Sequence, residues 1–171
     1  MARELGIGWG DITRALAGFH GAERRFQQRG EAGGVTVVED YGHHPTEIAA
    51  VIAAARPIAA GRLILAFQPH RFTRTQFLLG EFGRAFAGAD VLVLTDIYAA
   101  GEDPIAGVTL DALADTVRRG FAGELKTVRA LSDVPRELGS IAKPGDLIVL
   151  LGAGSIGSIV DAVLRALGSR D

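Results

Sequence analysis

The amino-acid sequence predicts an α/β fold, a mainly parallel sheet of five or six strands with helices on both faces. Two observations carry this expectation. Short apolar runs at residues 35–39, 63–67, 91–95, 125–128 and 147–151 have the length and composition of strands buried in a parallel sheet. Between and after them, residues 45–56, 75–87, 110–121, 133–142 and 155–167 repeat apolar side chains at the helical period. Strands alternating with helices of this length imply right-handed βαβ units, and hence a Rossmann-like sheet.

Residues 1 to about 34 fit this pattern poorly. A short helix from Asp11, read as its N-cap, through Leu16 runs into a Gly- and Arg-rich connection. A polar stretch then reaches Gly34 and suits either a strand edge or a linker. We expect residues 1–34 to be the tail of a preceding domain and residues 35–171 to form the domain proper. Val35-Thr36-Val37-Val38 opens it as a β-branched strand. Pro45 suits a first helical turn, and Ile48, Val51, Ile52 and Ala55 recur on one face behind it.

Bulk composition narrows the function. A chain of 171 residues, 48% of them hydrophobic, suffices for one substantial core. A formal charge of −2 offers no electrostatic footprint for nucleic acid. There is no cysteine, which excludes disulfides and thiolate metal sites. No signal-type segment and no membrane-spanning run is present, so a cytoplasmic protein without a membrane partner is expected.

The chemistry concentrates where strands end, which in open α/β sheets is where ligands bind. The first such junction is Asp40-Tyr41-Gly42-His43-His44-Pro45-Thr46-Glu47. His43 is the better ligand candidate there, and His44 reads as a packed residue orienting the turn. Adjacent histidines without a third ligand at zinc spacing do not make a protein-only zinc centre. The second junction is Gln68-Pro69-His70-Arg71-Phe72-Thr73-Arg74-Thr75. Arg71 and Arg74, three apart, could clamp a carboxylate or phosphate by charge-assisted bonds, with His70 as a further donor. The third, Asp96-Ile97-Tyr98-Ala99-Ala100-Gly101-Glu102, adds acidic and aromatic groups and carries less weight.

A fourth junction, Gly152-Ala153-Gly154-Ser155-Ile156-Gly157, has the form of a dinucleotide fingerprint. It lacks the following strand and the acidic residue about twenty positions on that would hold a ribose. We read it as a tight turn allowing close packing of the last helix, with amides available to an anion. A dinucleotide oxidoreductase would rest on these glycines alone. No P-loop sequence occurs.

Together these stretches resemble the C-terminal domain of the Mur ligase family, and within it the branch that joins L-alanine to UDP-N-acetylmuramate. Phe19-His20-Gly21-Ala22-Glu23-Arg24-Arg25-Phe26 resembles the end of that family's central ATPase domain, so the likeness covers essentially the whole chain. The resemblance implies an ATP-dependent amide ligase of peptidoglycan synthesis. ATP, with magnesium, phosphorylates the muramic carboxylate, and the amine of L-alanine attacks the acyl phosphate. By position, Tyr41, His43, His70, Arg71 and Arg74 would bind L-alanine. Asp40 would contact the ATP ribose and Arg25 the ATP phosphates. The family's nucleotide loop, magnesium ligands and UDP-binding domain have no counterpart here, so the chain is expected to be a fragment that does not turn over alone. A ligase adding a preformed tripeptide is the nearest alternative, and Gln68-Pro69-His70-Arg71 argues against it. A stand-alone amino-acid or nucleotide binding module is a further one.

Overall fold

A computed structural model describes residues 4–17 and 23–169 of the chain. Helix α1 spans Trp9–Ala17, two residues earlier than expected. Asp11 lies inside its first turn instead of capping it, where a carboxylate favours the positive end of the helix, and it pairs with Arg14.

Six strands form one sheet: β1 (Gln27–Ala32), β2 (Val35–Asp40), β3 (Leu63–Phe67), β4 (Val91–Leu94), β5 (Glu124–Thr127) and β6 (Leu147–Leu151). Their order is β1-β2-β6-β3-β4-β5, with all pairings parallel except β1 against β2. The sheet therefore takes in residues 27–32 as an edge strand, the first of the two alternatives that the polar stretch before Gly34 suits. Its sequence, Gln-Gln-Arg-Gly-Glu-Ala, carries no buried run because β1 is an edge strand with a bulge between Gln28 and Gly30.

Strands β3, β4 and β6 are buried at every position, as their apolar sequences require. One face is covered by α2 (Pro45–Ala55), α4 (Leu79–Ala85) and α5 (Leu110–Arg118), through residues such as Ile48, Phe82 and Leu113. The other is covered by α6 (Val134–Ile141) and α7 (Val160–Gly168), through Leu138 and Val163. The β2–β3 connection passes over β6 on the first face, and the β5–β6 connection returns on the second. The chain thus changes faces around β6, which opens crevices at the carboxyl ends of its neighbours.

The expected helix over 75–87 is two helices. A short α3 (Phe72–Phe77) starts three residues earlier, and the path breaks at Leu78 before α4. The early start has an external cause: Glu102, from the loop after β4, accepts from the Thr73 amide and hydroxyl at 3.0 and 2.7 Å. It caps α3 from outside the helix. The segments expected to open the last two helices, near residues 133 and 155, begin as 3-10 turns at Leu131–Asp133 and Ser155–Ile159.

Candidate functional site

Register sets the site. Asp40 pairs with Leu151, Leu151 with Phe67, and Phe67 with Leu94, so four strands end at one level and release their loops side by side. The ladder runs one step further, with the amides of Gly152, Gln68 and Thr95 donating to Asp40, Leu151 and Phe67.

The first junction turns into α2 through His44, whose Nδ1 accepts from the Thr46 amide while Glu47 accepts from the amides of His43 and His44. This is a reciprocal capping arrangement, and it confirms His44 as a residue that orients the turn. The same bonds, with the positive charges around them, bring the Glu47 carboxyl below its usual range although burial pushes it up.

The predicted ligand residues form a continuous file. The guanidinium carbons of Arg24 and Arg25 lie 5.0 and 5.7 Å from the centre of the Tyr41 ring. Tyr41 meets His43 edge-on at 5.5 Å, His43 meets His70 at 5.7 Å, and His70 stacks on Tyr98 at 5.6 Å. Arg74 Nη1 lies 2.9 Å from His70 Nδ1. A parallel bridge between His70 and Tyr98 ties the second junction to the third, with Tyr98 N donating to Pro69 O and Arg71 N to Tyr98 O.

Arg71 sits at φ +72° and ψ 139°, a conformation L-residues rarely adopt, just before α3. Its side chain is 49% exposed, and Nη1 stands 3.7 Å from Glu102 Oε1. The two arginines are thus held by different partners, Arg74 by His70 and Arg71 by Glu102, and each keeps N–H groups for a ligand.

Asp40, which the resemblance sets against the ATP ribose, is engaged here with the backbone around it. It is 5% exposed, and its two carboxylate oxygens accept from the amides of Phe26 and Gly42, both at 2.7 Å. The strand-end carboxylate is consumed by the backbone it holds, fixing the Arg25–Phe26 segment against the first junction. Of the motif around it, Phe19 to Ala22 lie outside the described residues.

The glycine turn is explained by packing. Gln68 is buried, and its Oε1 accepts from the Ile156 amide at 3.0 Å, so that amide serves an internal acceptor. A Cβ at Gly152 would stand 2.8 Å from Gln68 O, and one at Gly154 2.6 Å from Gln68 Oε1 and 2.7 Å from Tyr98 Cγ. One at Gly157 would meet Glu39 Oε1 at 2.1 Å. Glu39 is a buried carboxylate that sequence reading missed, paired at 2.5 Å with both Arg24 and Arg29. Arg24 also donates to the carbonyls of Gly152 and Gly154 at 2.9 and 3.2 Å. Nothing in the sequence pairs residues so far apart, and only the charge of Glu39 within an apolar strand hints at a buried partner.

A cavity of about 600 Å³ is lined by Phe72, Asp96, Pro104, Val108 and Arg129 among others. None of the ligand candidates lines it, so the convergence of polar groups, not the volume, marks the site.

Burial holds the His70 imidazole below its ordinary value near 6.5, reinforced by Arg74, His43 and Arg71 and opposed by Glu102. Because the folded state binds its proton more weakly, the stability this group contributes is complete above about pH 6.5 and is lost as pH falls through the lowered value. An NMR pH titration is expected to show His70 titrating below the unfolded range, and moving upward in Arg74→Met. An unmoved midpoint in that variant would exclude Arg74 as a cause.

The class of domain defined by these features is a mainly parallel α/β sheet whose carboxyl edge, where open sheets of this kind bind ligands, gathers histidines, arginines and a tyrosine. The chain belongs to the Mur ligase family: residues 24–154 match the family described as Mur ligase, glutamate ligase domain. Two relatives bear the name UDP-N-acetylmuramate–L-alanine ligase. One, from Syntrophus aciditrophicus, is 47% identical over 98% of this chain and 35% of its own length. The other, from Anaeromyxobacter, is 54% identical over 91% of this chain and 34% of its own length. The chain therefore spans about a third of the length of the curated relatives it matches. Among solved structures, a UDP-N-acetylmuramate–alanine ligase from Thermotoga maritima has the same fold, with a TM-score of 0.74 at 24% identity over 96% of this chain and 34% of that one. A Thermotoga maritima ligase called MurF, solved in complex with ADP, gives a TM-score of 0.68 at 17% identity over 99% and 36%.

Proposed function

We propose that this chain supplies the amino-acid-binding part of an ATP-dependent ligase that joins L-alanine to UDP-N-acetylmuramate in peptidoglycan synthesis. The observation that carries the reading is the file of Tyr41, His43, His70 and Arg74, brought to one level by the register of β2 and β3. The names of the two relatives support the choice of amino acid and nucleotide sugar.

In this reading Arg71 and Arg74, with His70 as a further donor, receive the carboxylate of L-alanine, and Tyr41 and His43 stand at its amino end. Arg25, placed over the outer face of Tyr41, reaches toward ATP phosphates, and Asp40 acts on that side by fixing the segment that carries Arg25. Residues before β1 lead from the ATPase part of the ligase, which binds UDP-N-acetylmuramate and ATP with the rest of that protein. In this reading magnesium, like ATP, is held mainly by the rest of the ligase. Division of the site between two bodies suits the chemistry, because closure excludes water from a hydrolysable acyl phosphate.

The test is an NMR titration of the chain with L-alanine, with D-alanine as control. Shifts confined to residues 40–47 and 68–75, selective for the L-isomer, are expected at millimolar ligand. The chain is then joined to the N-terminal two thirds of a relative and supplied with ATP and the nucleotide sugar. Alanine-dependent phosphate release is expected there and not from the chain alone. Its absence in the completed ligase would overturn the reading.

A further inference from the structure

The two histidines that meet in the file are locked in opposite tautomers. His43 Nδ1 lies 3.0 Å from the Tyr41 carbonyl oxygen and 3.6 Å from Glu47 Oε2. Both oxygens can only accept, Glu47 being a carboxylate whose pKa is lowered, so Nδ1 carries the hydrogen and the lone pair resides on Nε2. His70 is the reverse. Its Nδ1 faces Arg74 Nη1 at 2.9 Å, and a guanidinium can only donate, so Nδ1 holds the lone pair and Nε2 the hydrogen.

This difference decides which ring can take up a proton. Protonating His43 fills a lone pair that no described residue uses, keeps the bond to Tyr41, and places the cation beside the Glu47 carboxylate. Protonating His70 breaks its bond with Arg74 and sets two cations against each other. The groups facing the pair agree with this division. Tyr41 and Glu47 stand on the His43 side, with Arg25 acting on Glu47, while Arg71, Arg74, Tyr98 and Glu102 surround His70.

We propose that His43 Nε2 takes a proton from the ammonium group of the incoming amino acid, while His70 remains neutral and donates from Nε2 to its carboxylate. The inference rests on the ligase reading and adds the origin of the nucleophile. An ammonium ion has no lone pair. Once one N–H proton passes to His43, the electron pair left on nitrogen attacks the acyl carbon. The C–N bond forms from that pair, the C–O bond to phosphate breaks, and phosphate leaves with the electrons of the C–O bond. The second proton shed by nitrogen goes to the departing phosphate, and the amide keeps the third.

Two measurements test it. Ring-nitrogen NMR of this chain should show His43 bearing hydrogen at Nδ1 and His70 at Nε2, and the opposite assignment for His43 overturns the proposal. In the completed ligase, His43→Asn retains an N–H able to reach the Tyr41 carbonyl but lacks Nε2. Its kcat with L-alanine should fall about 100-fold or more at neutral pH, the range for a lost general base, with a smaller change in KM. The deficit should narrow as pH rises and free amine accumulates. Hydroxylamine, already unprotonated at neutral pH, traps the acyl phosphate directly, and the ratio of alanine amide to hydroxamate should drop in the variant. A parallel fall of both products would mean that His43 only shapes the site, and would overturn the proposal. Failure of the unaltered ligase to use alanine overturns the ligase reading, and this step with it.

Discussion

Gly154→Ala is expected to destabilise the domain by about 1–3 kcal/mol, the usual range for overpacking a filled site, and to lower its melting temperature by several degrees. The added methyl would lie 2.6 Å from Gln68 Oε1 and 2.8 Å from Tyr98 Cβ, closer than non-bonded atoms tolerate. Neither neighbour is a free side-chain end. Gln68 is buried and holds the Ile156 amide, and Tyr98 is anchored by its backbone to Pro69 and Arg71. Relief therefore has to come from the turn after β6 or from the Tyr98–His70 stack, which couples this position to the site. Gly80→Ala is the internal control. A Cβ there meets nothing within 4 Å, and the position lies within α4, so alanine should be neutral or stabilising by up to about 1 kcal/mol. Calorimetry of the two variants decides; equal melting temperatures would refute the packing account of this turn.

The same turn shows how far the sequence could be read. Its three glycines have the spacing of a nucleotide fingerprint, and the missing ribose carboxylate argued for tight packing instead. The structure bears that out and supplies the partners: Gln68 and Tyr98 from two other junctions, and Glu39 from β2. One of the amides expected to be available to an anion, that of Ile156, is taken by Gln68 Oε1, an internal acceptor that no local pattern announces. Strands β3, β4 and β6 were legible because burial on both faces leaves a continuous apolar run. Strand β1 was legible only as one of two alternatives, a strand edge or a linker, since an antiparallel edge needs no such run. The sequence placed Tyr41, His43, His70 and Arg74 at strand ends, and parallel register brings them into one file. It also placed Asp40 at a strand end, but which way a carboxylate turns depends on amides elsewhere in the chain, here Phe26 N. Glu102 capping α3 from 29 positions away was out of reach for the same reason.

Arg74→Met should cost the completed ligase more than any other single arginine change in this chain, lowering kcat/KM for L-alanine by a factor of about 100 to 1,000. The estimate follows from removing one member of a charged, hydrogen-bonded pair at a binding site, typically 2–5 kcal/mol. Arg74 has two tasks. Its Nη1–H keeps the His70 lone pair on Nδ1, and in the proposed function its remaining N–H groups receive the carboxylate as part of a planar fork. Methionine preserves the apolar stem and removes both. Arg74→Lys should recover only part of the loss, because an ammonium supplies charge without the fork. Arg71→Met provides the comparison. That side chain is half exposed and already faces Glu102 at 3.7 Å, so its loss should be smaller and more sensitive to salt. Steady-state kinetics at two ionic strengths, read beside the His70 titration, separate the tasks. If kcat/KM falls while the His70 midpoint stays fixed, carboxylate binding dominates; if both move, Arg74 also works through the imidazole. An unchanged kcat/KM in Arg74→Met would remove the guanidinium from the alanine site altogether.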